Sequence, residues 1–170
     1  MEIYVIRHGQ TKLNKENKFN GRIDEPLTDE GFVQARKVSL NLPDDINHIC
    51  SSSMIRAKQT AETINKKFNI PITLYKEIIE VDAGINNGTV WDTALKEKYR
   101  LMDYDFKPKG ESFLEVKDRV SRFLKDIKDN YADRKVLIVT HGGIIRMINY
   151  LAKGSPLGDI KNVSFYTFNI

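Results

Sequence analysis

The chain has 170 residues, 41% of them apolar and 29% charged, a balance that suits one soluble globular domain with its own core and excludes a disordered or fibrous class. The formal charge is +4, but the basic residues are interleaved with acidic ones rather than gathered into a tract, so the sequence points to a small anionic ligand and not to nucleic acid. Cys50 is the one cysteine, no apolar run approaches the ~20 residues that span a bilayer, and the chain opens on a strand-like run without a leader, so a reducing cytoplasm and no membrane are expected.

In chain order, residues 3–6 (IYVI) are branched or aromatic and predict a strand. RHGQT follows at residues 7–11, placing Arg7 and His8 where the chain leaves the strand. Thr28 is the N-cap of a helix over about residues 29–40. A short strand at 49–50 precedes a helix over about 54–68, which stops before Ile70-Pro71. A third strand is expected at 72–74. Residues 84–110 have no regular period, with Trp91, Tyr99, Tyr104, Phe106 and Pro108 among polar residues; they read either as a short cap over a site or as a packed surface excursion. Phe113, Val116, Val120, Phe123, Leu124 and Ile127 recur at helical spacing behind a Ser112–Glu115 capping box, the clearest helix of the chain. A strand at 136–139, a helix after Gly143 and a strand at 163–168 complete the order. The last strand could pair across a dimer axis or be a sheet edge covered by its own chain, so a monomer and a homodimer both stand.

Strands alternating with helices predict an α/β fold, a three-layer α/β/α sandwich around a mainly parallel sheet. In such sheets ligands collect outside the carboxyl ends of the strands. His8 and His141 both sit at strand ends of this kind, each followed by glycine, so their imidazoles converge if the strands are neighbours. The helix after Gly143 would aim its first amides at the same place, a seat for an anion. Arg7 and Arg56 can bring guanidinium forks to phosphate oxygens there. Taken alone, either histidine reads as a turn residue and Arg56 as a solvated helix face; the conjunction makes a phosphate pocket. His48 is read as structural. His8, His48 and His141 show no HxH or HxxxH spacing and no nearby carboxylate cluster, so no metal and no other cofactor is expected.

RHGQT at 7–11, SSSMIRAKQTA at 51–61, GES at 110–112 and THGG at 140–143 together resemble the histidine phosphatase superfamily, also called the phosphoglycerate mutase-like family. FNGRIDEPLTDEG at 19–31 and IIEVDAG at 78–84 look like the family's segment after its first motif and the stretch carrying its acid. The match runs almost end to end. It implies one domain over residues 1–170 with 84–110 as a possible short cap, and a phosphomonoesterase in which His8 forms a phosphohistidine. By the same similarity Arg7, Arg56 and His141 surround the transferring group, Asn14, Asn20, Gly21 and Gly142 contact phosphate or substrate, and Glu80 is the proton donor, with Asp82 its nearest rival. The substrate implied is a small phosphate monoester. Asn20 stands where glutamine is common, and Ala83 and residues 85–88 stand where the family often has an aromatic residue and a Trp-Glu pair. Mutases of the family carry a longer insertion than residues 89–109, which favours a phosphatase; phosphoglycerate mutase-type transfer and a non-catalytic phospho-ligand binding module are the alternatives.

Overall fold

The computed structural model describes residues 1–90 and 92–170; Trp91, one of the aromatics of the expected cap, lies outside the described residues. Four strands, β1 (Glu2–Arg7), β2 (His48–Ser52), β3 (Ile72–Tyr75) and β4 (Val136–Thr140), are parallel, and β5 (Phe165–Asn169) runs antiparallel to β1. The order across the sheet is β3-β2-β4-β1-β5. The register sets Ile3 beside Val136 and Arg7 beside Thr140, so β1 and β4 end level and His8 and His141 leave the sheet side by side.

The central strands read as unbroken apolar runs because both of their faces are covered. On one face Ile3, Val5, Val136 and Ile138 join a core with side chains of α5 (Phe113–Tyr131) and α6 (Gly142–Lys153). On the other, Tyr4, Ile6, Leu137 and Val139 pack with Ala57, Ala61 and Ile64 of α3 (Ile55–Phe68), against which α2 (Asp29–Ser39) lies. This is the expected three-layer α/β/α architecture. Among the described residues no helix is long and apolar enough to cross a membrane.

Local chemistry explains the boundaries. Thr28 caps α2 through its side chain, and Ser112 and Glu115 close both halves of the capping box on α5. Asn69 adopts the left-handed conformation at the end of α3, just ahead of Ile70-Pro71. Three boundaries near the site and the sheet edge differ from the sequence reading. β2 extends beyond residues 49–50 to the polar, buried His48 and Ser52, which an apolar run cannot reveal. α6 starts at Gly142 rather than after Gly143, with His141 as its N-cap residue. β5 starts at Phe165 rather than 163, because Val163 has φ +51°, outside the extended region. Two helices were not foreseen, the single turn α1 (Lys12–Lys15) and α4 (Thr93–Arg100) within the supposedly irregular segment. α4 is polar except for one stripe; Asp92 caps it and Tyr99 is its one buried residue.

Candidate active site

The carboxyl ends of β1, β2 and β4 bring His8, Ser52 and His141 together. His8 is 1% exposed, and its amide donates to the Thr140 carbonyl at 2.9 Å, fastening the two strand exits to each other. Its Nδ1 lies 2.8 Å from the Gly9 carbonyl, which can only accept, so Nδ1 carries the proton. Arg56 Nε lies 3.2 Å from the other ring nitrogen, Nε2, and an arginine nitrogen can only donate. The Nε2 lone pair is thereby defined from both sides. Burial, then the charges of Arg56 and Arg7, hold the imidazole well below its ordinary range despite the Gly9 bond. A neutral imidazole results, with Nε2 its unprotonated nitrogen.

Arg56 sits in the first turn of α3 and is fully buried. Its Nη1 and Nη2 donate to the carbonyls of Ile23 at 2.8 Å and Gly21 at 2.9 Å. Burial, reinforced by Arg7, pulls it down to about 10, against the pull of Glu80 and Asp24, and it stays charged near neutral pH. Gly21 has φ +46°, and a Cβ there would fall 1.8 Å from Asn87 Oδ1, so the loop needs glycine to reach Arg56. Arg7 Nη1 donates to the Ile160 carbonyl at 2.6 Å, while its buried Nε has no partner among the described residues. Asn14 donates to Asn20 Oδ1 at 2.6 Å and accepts from Asn162, whose amide also reaches the His8 carbonyl at 3.1 Å.

His141 packs against His8 with ring centroids 5.1 Å apart. Its Nε2 lies 2.8 Å from Ser52 Oγ. Burial first, then Arg56, His8 and Arg7, hold it too well below the ordinary imidazole range.

Glu80 follows β3 and is 8% exposed. Its Oε1 accepts from the Val81 amide at 2.9 Å and the Tyr99 hydroxyl at 3.2 Å, and its Oε2 from the Gly143 amide at 3.3 Å. The amide expected to seat an external anion thus holds the protein's own carboxylate. The backbone is clamped from behind: Arg119 of α5 donates to the carbonyls of Glu77, Ile79 and Glu80 and pairs with Glu111, which also meets Arg22 at 3.0 Å. Asp82, the rival acid, accepts from Gly84 and Asn87 in its own turn. His48 lies at the far end of β2, bonded to Thr73 and with its ring tilted against that of Tyr131.

A cavity of about 380 Å³ opens over this cluster. Of the residues singled out in the sequence, Arg7, His8, Asn14, Asn20, Gly21, Glu80 and Gly142 line it; Arg56 and His141 are buried and meet it through His8. Tyr99 of α4 and the cations Lys18, Lys96, Arg146 and Lys161 also line it. Sequence reasoning missed Ser52, Tyr99, Arg119 and Asn162. Ser52 lay inside a quoted motif and Tyr99 among the aromatics of the possible cap; Arg119 and Asn162 carried no local signal.

Residues 3–170 match the model of the histidine phosphatase superfamily (branch 1). Phosphoglycerate mutase-like protein 4 of Arabidopsis thaliana is 33% identical over 182 residues, covering 99% of this chain and 79% of that protein. The uncharacterized phosphatase PhoE of Bacillus subtilis is 33% identical over 158 residues, 91% of this chain and 79% of that protein. Among solved structures, TTHB049 from Thermus thermophilus superposes with a TM-score of 0.82 at 33% identity, covering 98% of this chain and 92% of that one.

Proposed function

The chain belongs to the histidine phosphatase superfamily, and we propose that it is a metal-independent phosphomonoesterase acting on a small phosphorylated metabolite through a phosphohistidine on His8. The observation that carries this reading is the His8 ring on the cavity wall, with Nδ1 tied to the Gly9 carbonyl and Nε2 left unprotonated beside Arg56. Nε2 attacks phosphorus, the P–O bond to the alcohol breaks, and Glu80 gives its proton to the leaving oxygen. Water then attacks the phosphohistidine, Glu80 takes a proton from it, and the P–N bond breaks to release inorganic phosphate. Arg7 and Arg56 balance charge on the equatorial oxygens, and His141 and Asn14 add neutral donors.

Residues 84–110 act as a short cap through α4. One short helix beside the cavity does little to keep a released alcohol from exchanging with water, which supports hydrolysis over return of the phosphoryl group. The test is release of nitrophenol from p-nitrophenyl phosphate in the presence of chelator, with acid-quenched samples examined for phosphorylated His8. We expect turnover in the wild type, none in His8→Ala, and a Glu80→Gln variant slowed about 100-fold or more on an alkyl phosphate. A quenched adduct on another side chain, or unchanged turnover in Glu80→Gln, would sink the respective role.

A further inference from the structure

We propose that Ser52 is a positioning residue that fixes the tautomer of His141, its hydroxyl donating to Nε2 so that Nδ1 carries the proton and donates to the transferring phosphoryl group. The part played by that donor rests on the hydrolase reading above; the tautomer itself does not.

Three observations lead there. Ser52 is fully buried at the end of β2, and its Oγ lies 2.8 Å from His141 Nε2. The same oxygen accepts the Met54 amide at 3.3 Å. A hydroxyl has one proton to give, and His141 Nε2 is the acceptor within reach of it. The reverse arrangement, with Nε2 donating, leaves the hydroxyl hydrogen in a dry site without an acceptor, at a cost that buried polar groups normally avoid. Finally, His141 Nδ1 is buried with no hydrogen-bond partner among the described residues. It belongs to a ring packed on His8 and held neutral by burial and by Arg56, His8 and Arg7, so one proton must serve both nitrogens.

The choice matters because a neutral His141 with its proton on Nε2 would present a lone pair to an anion. With the proton on Nδ1 it presents a donor, and no proton has to be drawn from solvent to make it one. Ser52 thus does for His141 what the Gly9 carbonyl does for His8, with opposite purpose: one ring is left an acceptor toward phosphorus and the other a donor toward oxygen.

The experiment is long-range ¹H–¹⁵N correlation of the imidazoles in the full chain, assigned with His48→Gln and His8→Asn variants, alongside p-nitrophenyl phosphate kinetics. The wild type should show a protonated Nδ1 and a bare Nε2 at His141. Ser52→Ala should yield a mixed or reversed tautomer and a kcat lower by about 10- to 100-fold, and Ser52→Thr, which keeps a hydroxyl, should restore both. A proton on Nε2 in the wild type overturns the proposal, as does a Ser52→Ala variant whose tautomer changes with no loss of kcat, or whose tautomer does not change. Because the tautomer is read from the spectrum, an inactive wild type with the expected spectrum would count against the hydrolase reading while supporting the assignment of Ser52.

Discussion

An imidazole attacks phosphorus when it is neutral, and the surroundings of His8 and His141 keep both rings neutral well into the acid range. The acid side of a kcat/KM profile should therefore not break near the ordinary histidine value of about 6.5; a break there that vanishes in no other variant than one altering His8 would contradict the burial argument. The same depression carries a stability cost at low pH. Below about pH 6.5 the unfolded chain takes up protons at both rings and the folded chain does not, so stability is complete above that value and falls as pH drops toward the lowered folded values. Each ring contributes a slope of about 1.4 kcal/mol per pH unit in that window. Urea midpoints measured from pH 7 to pH 5 should drop steeply, and less so when His141 is replaced by glutamine.

At the scale of elements, the junction between α4, α6 and the acid loop is set by one missing carbon. A Cβ on Gly143 would lie 1.9 Å from the Tyr99 hydroxyl and 2.5 Å from Glu80 Oε1, whereas one on Gly142 would meet nothing nearer than Arg146 Nη1 at 3.6 Å. Gly143→Ala should consequently displace both Tyr99 and Glu80 and reduce kcat by about 100-fold, with a thermal midpoint lowered by a few degrees. Gly142→Ala should fold as well as the wild type, and a scan that ranks the two variants the other way would refute the geometry. α4 itself was hidden in the sequence because its polar residues outnumber its apolar ones and Tyr99 alone is buried. Its hold comes from an aromatic cluster, with Tyr99 against Phe19 at 5.3 Å and Tyr104 at 5.2 Å, and a contact that spans as much chain as Phe19 to Tyr99 leaves no local period. The long amphipathic α5 was legible for the contrary reason: its burial repeats every three to four residues and its cap lies in the sequence.

Across the whole molecule, most of what could be read in advance follows from strands that end in chemistry. His8, Arg56, Glu80 and His141 were recognisable from short motifs, and the sheet order places the first and last of them together. What could not be read were the supports, since Arg119 reaches back across about forty residues to bind carbonyls of the acid loop, and backbone acceptors have no letter in a sequence. Arg119 is 10% exposed and Glu111 18% by side chain. Burial raises the Glu111 carboxyl, yet the bonds and charge of Arg119 more than reverse it, leaving it below its ordinary value. Arg119→Met leaves the Glu111 carboxylate to Arg22 and the Asp82 amide but takes the donor away from three carbonyls of the acid loop, and it should cost about 1–3 kcal/mol in urea unfolding; an unchanged urea midpoint would show the clamp to be incidental.

The sheet order has a temporal side as well. β1 precedes the other strands, yet both of its neighbours, β4 and β5, follow it by more than a hundred residues, at Val136–Thr140 and Phe165–Asn169. A nascent polypeptide therefore carries His8 beside an unfilled slot until β4 has been made, and contacts that span so much sequence form late. The pocket closes only once residues 136–169 have been added, and a chain cut short near residue 130 holds Arg56, Glu80 and His8 without the strand that would seat them.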